Sequence, residues 1–298
     1  MTERTGSVFS GFSANTRGMI WMILSGIGFV LAHTVVRHLS FQLHPFVVTF
    51  FIMLFGAFVI LPSFVKHGLA PLRTERLMLH VARSICISIA VVTMYYALST
   101  TPIALVTALS FLVPIFSTLL AWPLLGEKLR LRRFLAIIVG FGGSMIILRP
   151  GFADVGLGQI LVIIAAVFFS LSVLLIRMLG RTDSSITITS YTVILSTSLS
   201  LLPALFFWEW PNWGQLVFLA SGGIAAALGI LLLSNALRLA ATNVVMPLDY
   251  MRLLWASLLG FLFFSEIADL FTWAGAAVIL ASATYIGYRE SMQRKLNS

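Results

Sequence analysis

The stretch PLDYMRLLWASLLGFLFFSE, residues 247–266, is composed mainly of apolar side chains, yet it carries Asp249 and Arg252 near its start and Glu266 at its end. About 20 consecutive apolar residues are enough for an α-helix to cross a bilayer. A lone charge at the bilayer centre costs at least about 2.5–3.5 kcal/mol. The stretch therefore predicts a membrane helix whose charged side chains face a partner or a water-filled cavity.

The remainder of the chain has the same apolar character. Of its 298 residues, 59% are hydrophobic and only 10% are charged, whereas a soluble domain has about 25% charged residues. The apolar runs are continuous rather than alternating, which disfavours a membrane β-barrel. We therefore predict an all-α integral membrane protein with ten transmembrane helices. The predicted spans are 18–36, 45–65, 77–98, 103–123, 131–148, 157–176, 185–207, 214–237, 243–264 and 270–288.

The distribution of basic residues predicts the orientation of these spans. If the N-terminus is cytoplasmic, fifteen Lys and Arg residues fall in cytoplasmic loops and termini, and only Arg37 and Arg149 fall outside. Cytoplasmic loops of membrane proteins are enriched in Lys and Arg, so both termini are expected in the cytoplasm. The basic residues are scattered among short loops. The net charge of +9 therefore indicates a lipid bilayer as partner and does not indicate nucleic acid.

Two parts of the sequence align without gaps. Residues 97–129 lie over 236–268 at an offset of 139, so that Gly126-Glu127 matches Ser265-Glu266. A similar offset places residues 18–37 over 158–177.

The aligned marks predict two five-helix repeats, residues 1–153 and 154–298. Because five is odd, the second repeat must be inverted in the membrane. Inverted repeats of this kind are typical of secondary transporters, whose substrate site lies between the repeats.

Ten spans, two repeats and a Gly/Ser-Glu pair after the fourth helix of each repeat resemble the EamA family of the drug/metabolite transporter superfamily. The resemblance implies a bacterial inner-membrane carrier in which the first four helices of each repeat surround a central cavity. The fifth helices lie at the periphery, and the protein is a monomer or weak homo-oligomer. The most similar type is the YddG-like exporter, which implies alternating-access export of aromatic and other neutral amino acids.

Other activities stay open at this point. The alternative is a carrier of another metabolite or drug, such as a nucleotide, a cofactor or a cationic drug; a channel is disfavoured because it needs no such repeat. No HExxH or GxSxG motif is present, so we expect no enzymatic activity. We also expect no cofactor and no metal, only a small-molecule substrate.

Asp249 and Arg252 are the first candidate substrate-binding residues. They are three residues apart and share one side of a helix, so they can pair. The pair either fixes helix packing or serves as a gate or a site for a zwitterion such as an amino acid. Tyr250 beside them offers both a ring and a hydroxyl.

His80 and Arg83 form a second charged cluster in the third span. Arg83 either extends towards the headgroups or pairs with a distant acid, for which Asp249 is a candidate. His80 is either a structural histidine or a proton-coupling group, since histidine titrates near neutrality.

The remaining candidates are weaker and have structural alternatives. Further cavity positions, each of which could equally be a packing residue, are Ser25, His33, Tyr95, Ser110 and Phe111. Pro114 and Pro247 are candidate hinges, but they do not align with each other: Pro114 matches Leu253, and Pro247 matches Ala108. The aligned Glu127 and Glu266 favour a helix-terminal structural role over ion coupling.

Overall fold

The computed structural model describes residues 14–59, 61–62, 72–126, 131–149, 155–180, 182–183, 185–239 and 248–296. These residues form eleven α-helices and, over the same ranges, no β-strand. The helices are α1 Ala14–Leu39, α2 Pro45–Phe58, α3 Leu77–Thr100, α4 Ile103–Ser110, α5 Val113–Leu125, α6 Leu131–Leu148, α7 Leu157–Leu179, α8 Ser185–Leu205, α9 Trp213–Leu239, α10 Arg252–Phe264 and α11 Leu270–Leu296.

Six of the described helical stretches are long and apolar enough to cross a membrane, and four further apolar helices are shorter. One of the six, Ile103–Leu125, consists of α4 and α5 together. The all-helical membrane class is therefore confirmed. The count of ten spans stays a prediction, because length and composition alone support six crossings.

The two halves of the chain interleave. The most extensive interfaces all join a helix before residue 150 to a helix after it: α1 packs on α9, α3 on α7, and α6 on α11. Further interfaces join α2 to α8 and α9, α3 to α8, α5 to α7, and α1 to α10. If each helix is exchanged for its aligned counterpart in the other half, these pairs map onto one another. The core is thus shared between the halves.

Small residues permit the closest helix contacts. A β-carbon added at Gly28 of α1 would lie 3.0 Å from the Ala225 carbonyl oxygen of α9. One added at Gly275 of α11 would lie 2.5 Å from the Gly143 carbonyl oxygen of α6. Backbones that approach this closely are typical of membrane helix pairs, which associate through van der Waals contact.

Candidate functional site

The fold contains two helix breaks at aligned positions. Phe111 and Leu112 form a turn between α4 and α5, and Tyr250 and Met251 form a turn immediately before α10. At both turns amides bond to carbonyls three residues back: Leu112 N to Leu109 O at 3.0 Å and Met251 N to Leu248 O at 3.1 Å. In transporters, discontinuous helices near the middle of the membrane often form the substrate site.

The two breaks have different local causes. Pro114 lies in the first turn of α5, where its missing N–H removes a hydrogen bond to the preceding turn and favours a helix start. The aligned residue in the second half is Leu253, so a proline at this position does not explain the second break. Pro247, the other expected hinge, lies outside the described residues.

The Asp249–Arg252 ion pair spans the second helix break. Arg252 Nη2 lies 2.7 Å from Asp249 Oδ2, and Arg252 Nε donates to the Asp249 carbonyl at 3.3 Å. The two side chains are 20% and 15% exposed. The pairing inferred from their spacing is therefore present, and it links the residue before the turn to the first residue of α10.

Aromatic rings from both halves surround this pair. The guanidinium carbon of Arg252 lies 5.6 Å from the ring centroids of both Phe29 and Phe111. Phe111 also meets the Tyr250 ring edge-on at 4.9 Å. The site thus joins α1, both helix breaks and α10.

Phe29 was missed by the sequence reasoning. It lies on α1 midway between Ser25 and His33, at a spacing of four residues from each. Residues four apart share a helix face, so this spacing was the signal that could have identified it. The Arg252 stem crosses α1 at Gly26, where an added β-carbon would lie 2.9 Å from Arg252 Cγ.

The other α1 candidates have different surroundings. Ser25 is fully buried and donates to the Gly229 carbonyl at 2.8 Å, which ties α1 to α9. The His33 and Tyr95 rings meet edge-on at 6.3 Å. His33 Nδ1 is buried and has no hydrogen-bond partner among the described residues. Ser110 donates to the Thr107 carbonyl within its own helix at 2.7 Å.

His80 belongs to a separate cluster between α3 and the segment around α8. Its Nε2 lies 2.7 Å from Asp183 Oδ2, and its ring stacks on Tyr191 at 4.5 Å. Thr74 also donates to Asp183, at 2.8 Å. Burial opposes ionisation of Asp183, but the hydrogen bonds from His80 and Thr74 outweigh it and hold the pKa of this carboxyl below its usual range. Asp183 was missed because it lies 103 residues from His80.

Asp249, the candidate partner of Arg83, does not pair with it in the structure. Arg83 is buried and donates to the Ile188 carbonyl of α8 at 3.3 Å, whereas Asp249 bonds to Arg252. The reason is that this face of α3 packs against α8.

Glu266 holds four helix ends together. Its Oε1 accepts from Arg37 Nε and Nη2 at 3.1 and 2.8 Å, and its Oε2 accepts from the amide of Ile103, the first residue of α4, at 3.0 Å. Arg37 Nη1 donates in addition to the Leu98 carbonyl of α3 at 2.9 Å. Glu266 thus makes a helix-terminal contact of the kind that the alignment indicates. Its counterpart Glu127 lies outside the described residues.

The helix ends before these two glutamates have the same backbone conformation. Gly126 ends α5 with a φ of 68°, and Ser265 ends α10 with a φ of 55°. Left-handed residues of this kind commonly terminate helices. Among the described residues, no group of three or more His, Cys, Asp or Glu side chains could hold a metal ion.

The fold and the charged residues at a broken helix define a multi-pass membrane transporter. The chain belongs to the EamA-like transporter family, which matches residues 16–149 and again residues 156–288.

Several relatives match almost the whole chain. A "S-adenosylmethionine uptake transporter" of Rickettsia bellii is 28% identical over 94% of this chain and 97% of its own length. A "Riboflavin transporter" of Vibrio cholerae is 31% identical over 94% of this chain and 95% of its own length. A solved crystal structure at 17% identity covers 96% of this chain and 98% of its own, with a TM-score of 0.63, which supports the fold alone.

These relatives correct the narrower expectation about substrate and direction. The resemblance to the EamA family is confirmed, but amino-acid specificity and export of the YddG type are not supported. The matching relatives are described as transporters of S-adenosylmethionine and riboflavin, and the former are described as uptake transporters. The comparisons support a membrane transporter of a small molecule.

Proposed function

We propose that this protein is a secondary carrier that moves a cofactor-type metabolite, of the S-adenosylmethionine or riboflavin kind, across the bacterial inner membrane. The observation that carries the proposal is the Asp249–Arg252 pair at a helix break, surrounded by Phe29, Phe111 and Tyr250. Charges are costly inside a bilayer and mark substrate pathways there. Aromatic faces beside them suit a substrate that contains a ring.

The proposal includes alternating access between two inverted repeats, residues 1–153 and 154–298, with both termini in the cytoplasm. Three features support it. The family matches the chain twice, the helix breaks lie at aligned positions, and the interfaces map onto one another when the halves are exchanged. Two halves that exchange conformations give inward and outward states of similar energy, as a carrier requires.

The relatives support a cofactor-type substrate in preference to an amino acid. S-adenosylmethionine and riboflavin both contain a fused heteroaromatic ring, and each is named for a relative that matches over 90% of this chain. In double-mutant cycles, a pair of aromatic rings contributes about 0.5–1.5 kcal/mol beyond the area it buries. Phe29, Phe111 and Tyr250 supply such faces from both halves of the chain.

The proposal is tested by counterflow in proteoliposomes that contain the purified full-length protein. We expect liposomes preloaded with S-adenosylmethionine or riboflavin to accelerate saturable uptake of the same labelled compound. Protein-free liposomes provide the background, and labelled tryptophan provides the amino-acid comparison. Counterflow of tryptophan but of neither cofactor would overturn the substrate class. Uptake that neither saturates nor responds to preloading would overturn the carrier mechanism itself.

A further inference from the structure

Building on the proposed function, we propose that Phe29, Phe111 and Asp249 form a binding site for an alkylated organic cation, and that Arg252 occupies this site when no substrate is bound. The cation is a sulfonium or quaternary ammonium centre, carried by a substrate that also has a carboxylate. The three residues are referred to below as the cation site.

The geometry of Arg252 indicates the chemistry of the cation site. Its guanidinium carbon lies at the same distance, 5.6 Å, from two phenylalanine rings that belong to different segments, α1 and the first helix break. The Asp249 carboxylate lies 2.7 Å from Nη2. Aromatic faces together with a carboxylate are the groups that bind organic cations in proteins, and quaternary ammonium recognition uses such faces.

Arg252 is suited to leave this site. Its partner Asp249 is only three residues away, and the guanidinium is carried on a long flexible stem. No hydrogen bond of the Arg252 side chain to another helix is present among the described residues, since both of its bonds go to Asp249. The guanidinium can therefore move without breaking a hydrogen bond between helices.

Charge balance restricts the substrate further. A ligand that brought only a cation would leave the guanidinium unpaired in a poorly hydrated place, which is strongly unfavourable. A ligand with a carboxylate as well exchanges one ion pair for two: its cation takes the cation site, and its carboxylate takes the guanidinium fork, which matches carboxylate geometry. The substrate cation at Asp249 and the carboxylate at Arg252 cancel, so these two groups together leave the net charge of the site unchanged.

This requirement distinguishes the two substrate types named for the relatives. S-adenosylmethionine carries a sulfonium cation, a carboxylate and an aromatic ring, together with an α-ammonium group that adds a further positive charge. Riboflavin carries no permanent cation and no carboxylate, so it offers nothing to separate Asp249 from Arg252. The cation site therefore favours a substrate of the S-adenosylmethionine kind.

Two matched ligands test the inference on the purified full-length protein by calorimetric titration. S-adenosylhomocysteine lacks only the sulfonium methyl group, and decarboxylated S-adenosylmethionine lacks only the carboxylate. We expect each to bind about tenfold or more weakly than S-adenosylmethionine, which is the ratio expected when one desolvated cation–π or charge-paired contact is lost. Equal affinities for S-adenosylmethionine and S-adenosylhomocysteine, or no binding of either, would overturn the inference.

Variants of the rings complete the test. Phe29→Leu should reduce the preference for S-adenosylmethionine over S-adenosylhomocysteine towards unity, whereas Phe29→Tyr keeps an aromatic face and should retain the preference. Phe261→Leu, at an exposed position of α10, is the control and should retain it too. If Phe29→Leu fails to give a monodisperse peak, Phe111→Leu replaces it, and a preserved preference in the leucine variant overturns the inference. Counterflow of riboflavin without any binding of S-adenosylmethionine would overturn the assignment of the cation site and leave the proposed carrier function intact.

Discussion

Two ion pairs in this protein are buried to a similar degree but join residues at very different separations along the chain. Asp249 and Arg252 are three residues apart, and their side chains are 15% and 20% exposed. Arg37 and Glu266 are 229 residues apart, with side chains 12% and 13% exposed. The first pair spans a turn in one segment, whereas the second, through the bonds to Leu98 and Ile103, joins the ends of α1, α3, α4 and α10.

Burial alone therefore does not assign a role to a charge. The hydrogen bonds of the Asp249–Arg252 pair stay within one segment, so the pair can open without breaking a hydrogen bond between helices, and its charges are available to a ligand. A pair between distant segments holds the fold, and its opening separates helix ends. We therefore expect substitutions in the first pair to affect transport more than stability, and substitutions in the second to do the reverse.

The largest expected effect is that of Arg252→Ala on transport. We expect counterflow to be abolished, because the substrate carboxylate loses its partner, while the protein still reaches the membrane. The measurement is counterflow in proteoliposomes together with the amount of folded protein by fluorescence-detected gel filtration. Arg149→Ala is the matched control. It removes the arginine of the more exposed Arg149–Asp269 ion pair, which joins the residue after α6 to the residue before α11. Loss of folded protein in Arg252→Ala alone would make that pair structural and reverse the comparison.

Glu266→Gln should have the next largest effect, on stability. The substitution weakens two bonds to Arg37 and removes the carboxylate charge that holds four helix ends, which we expect to cost about 2 kcal/mol. For a protein of 298 residues that loss corresponds to a fall in Tm of about 3 °C. Thermal unfolding of the purified protein in detergent measures it. An unchanged Tm with lost counterflow would instead make Glu266 part of the transport machinery.

The His80–Asp183 pair provides an intermediate case, because its partners are 103 residues apart. The pKa of Asp183 is lowered in the folded state, so its ionised form stabilises the fold above the unfolded-state pKa, near 3.9. This stabilisation is lost as the pH falls through the lower, folded-state pKa. Asp183→Asn should therefore lower the Tm at pH 7, by an amount that keeps nearly its full value down to about pH 4 and shrinks as the pH falls further.

Wild type and Asp183→Asn are compared by thermal unfolding from pH 7 downward, for as long as both remain folded in detergent. The pair is predicted to be structural, so counterflow should change little at pH 7. A difference in Tm that stays constant down to the lowest measurable pH would contradict the assignment of this stabilisation to the Asp183 carboxylate.

Gly26→Ala should have the smallest effect of these substitutions. It tests whether the position of the Arg252 side chain matters for substrate binding. The new methyl group would meet Arg252 Cγ at 2.9 Å, so the arginine side chain must turn about its Cα–Cβ bond to make room. We expect a Tm within about 2 °C of wild type and a few-fold weaker affinity for S-adenosylmethionine, because the guanidinium shifts from the rings. Gly142→Ala, where a β-carbon meets nothing within 4 Å, is the control. An unaltered affinity in Gly26→Ala would show that the position of Arg252 does not matter for binding.

Local patterns predicted the local features of this protein. Apolar runs predicted the helices, and a spacing of three residues predicted the contact between Asp249 and Arg252, because both are properties of one segment. The break at Tyr250–Met251 was not predicted, since no proline follows it at the position of Pro114. The partners of His80 and Arg83 were also beyond sequence reasoning, because they depend on which face of α3 meets α8. Phe29 is one of 24 phenylalanines, and only its place beside Arg252 distinguishes it.

The interleaving of the halves has a consequence for biogenesis. α1 leaves the ribosome first among the described helices, yet its most extensive interface is with α9, and the Ser25 hydroxyl bonds to a carbonyl 204 residues later in the chain. Until that segment has been synthesised and inserted, the glycine-bearing face of α1 has only lipid, the insertion machinery or a temporary neighbour to contact. Assembly of this carrier is therefore completed late, and truncation before α9 would leave nascent helices without their native partners.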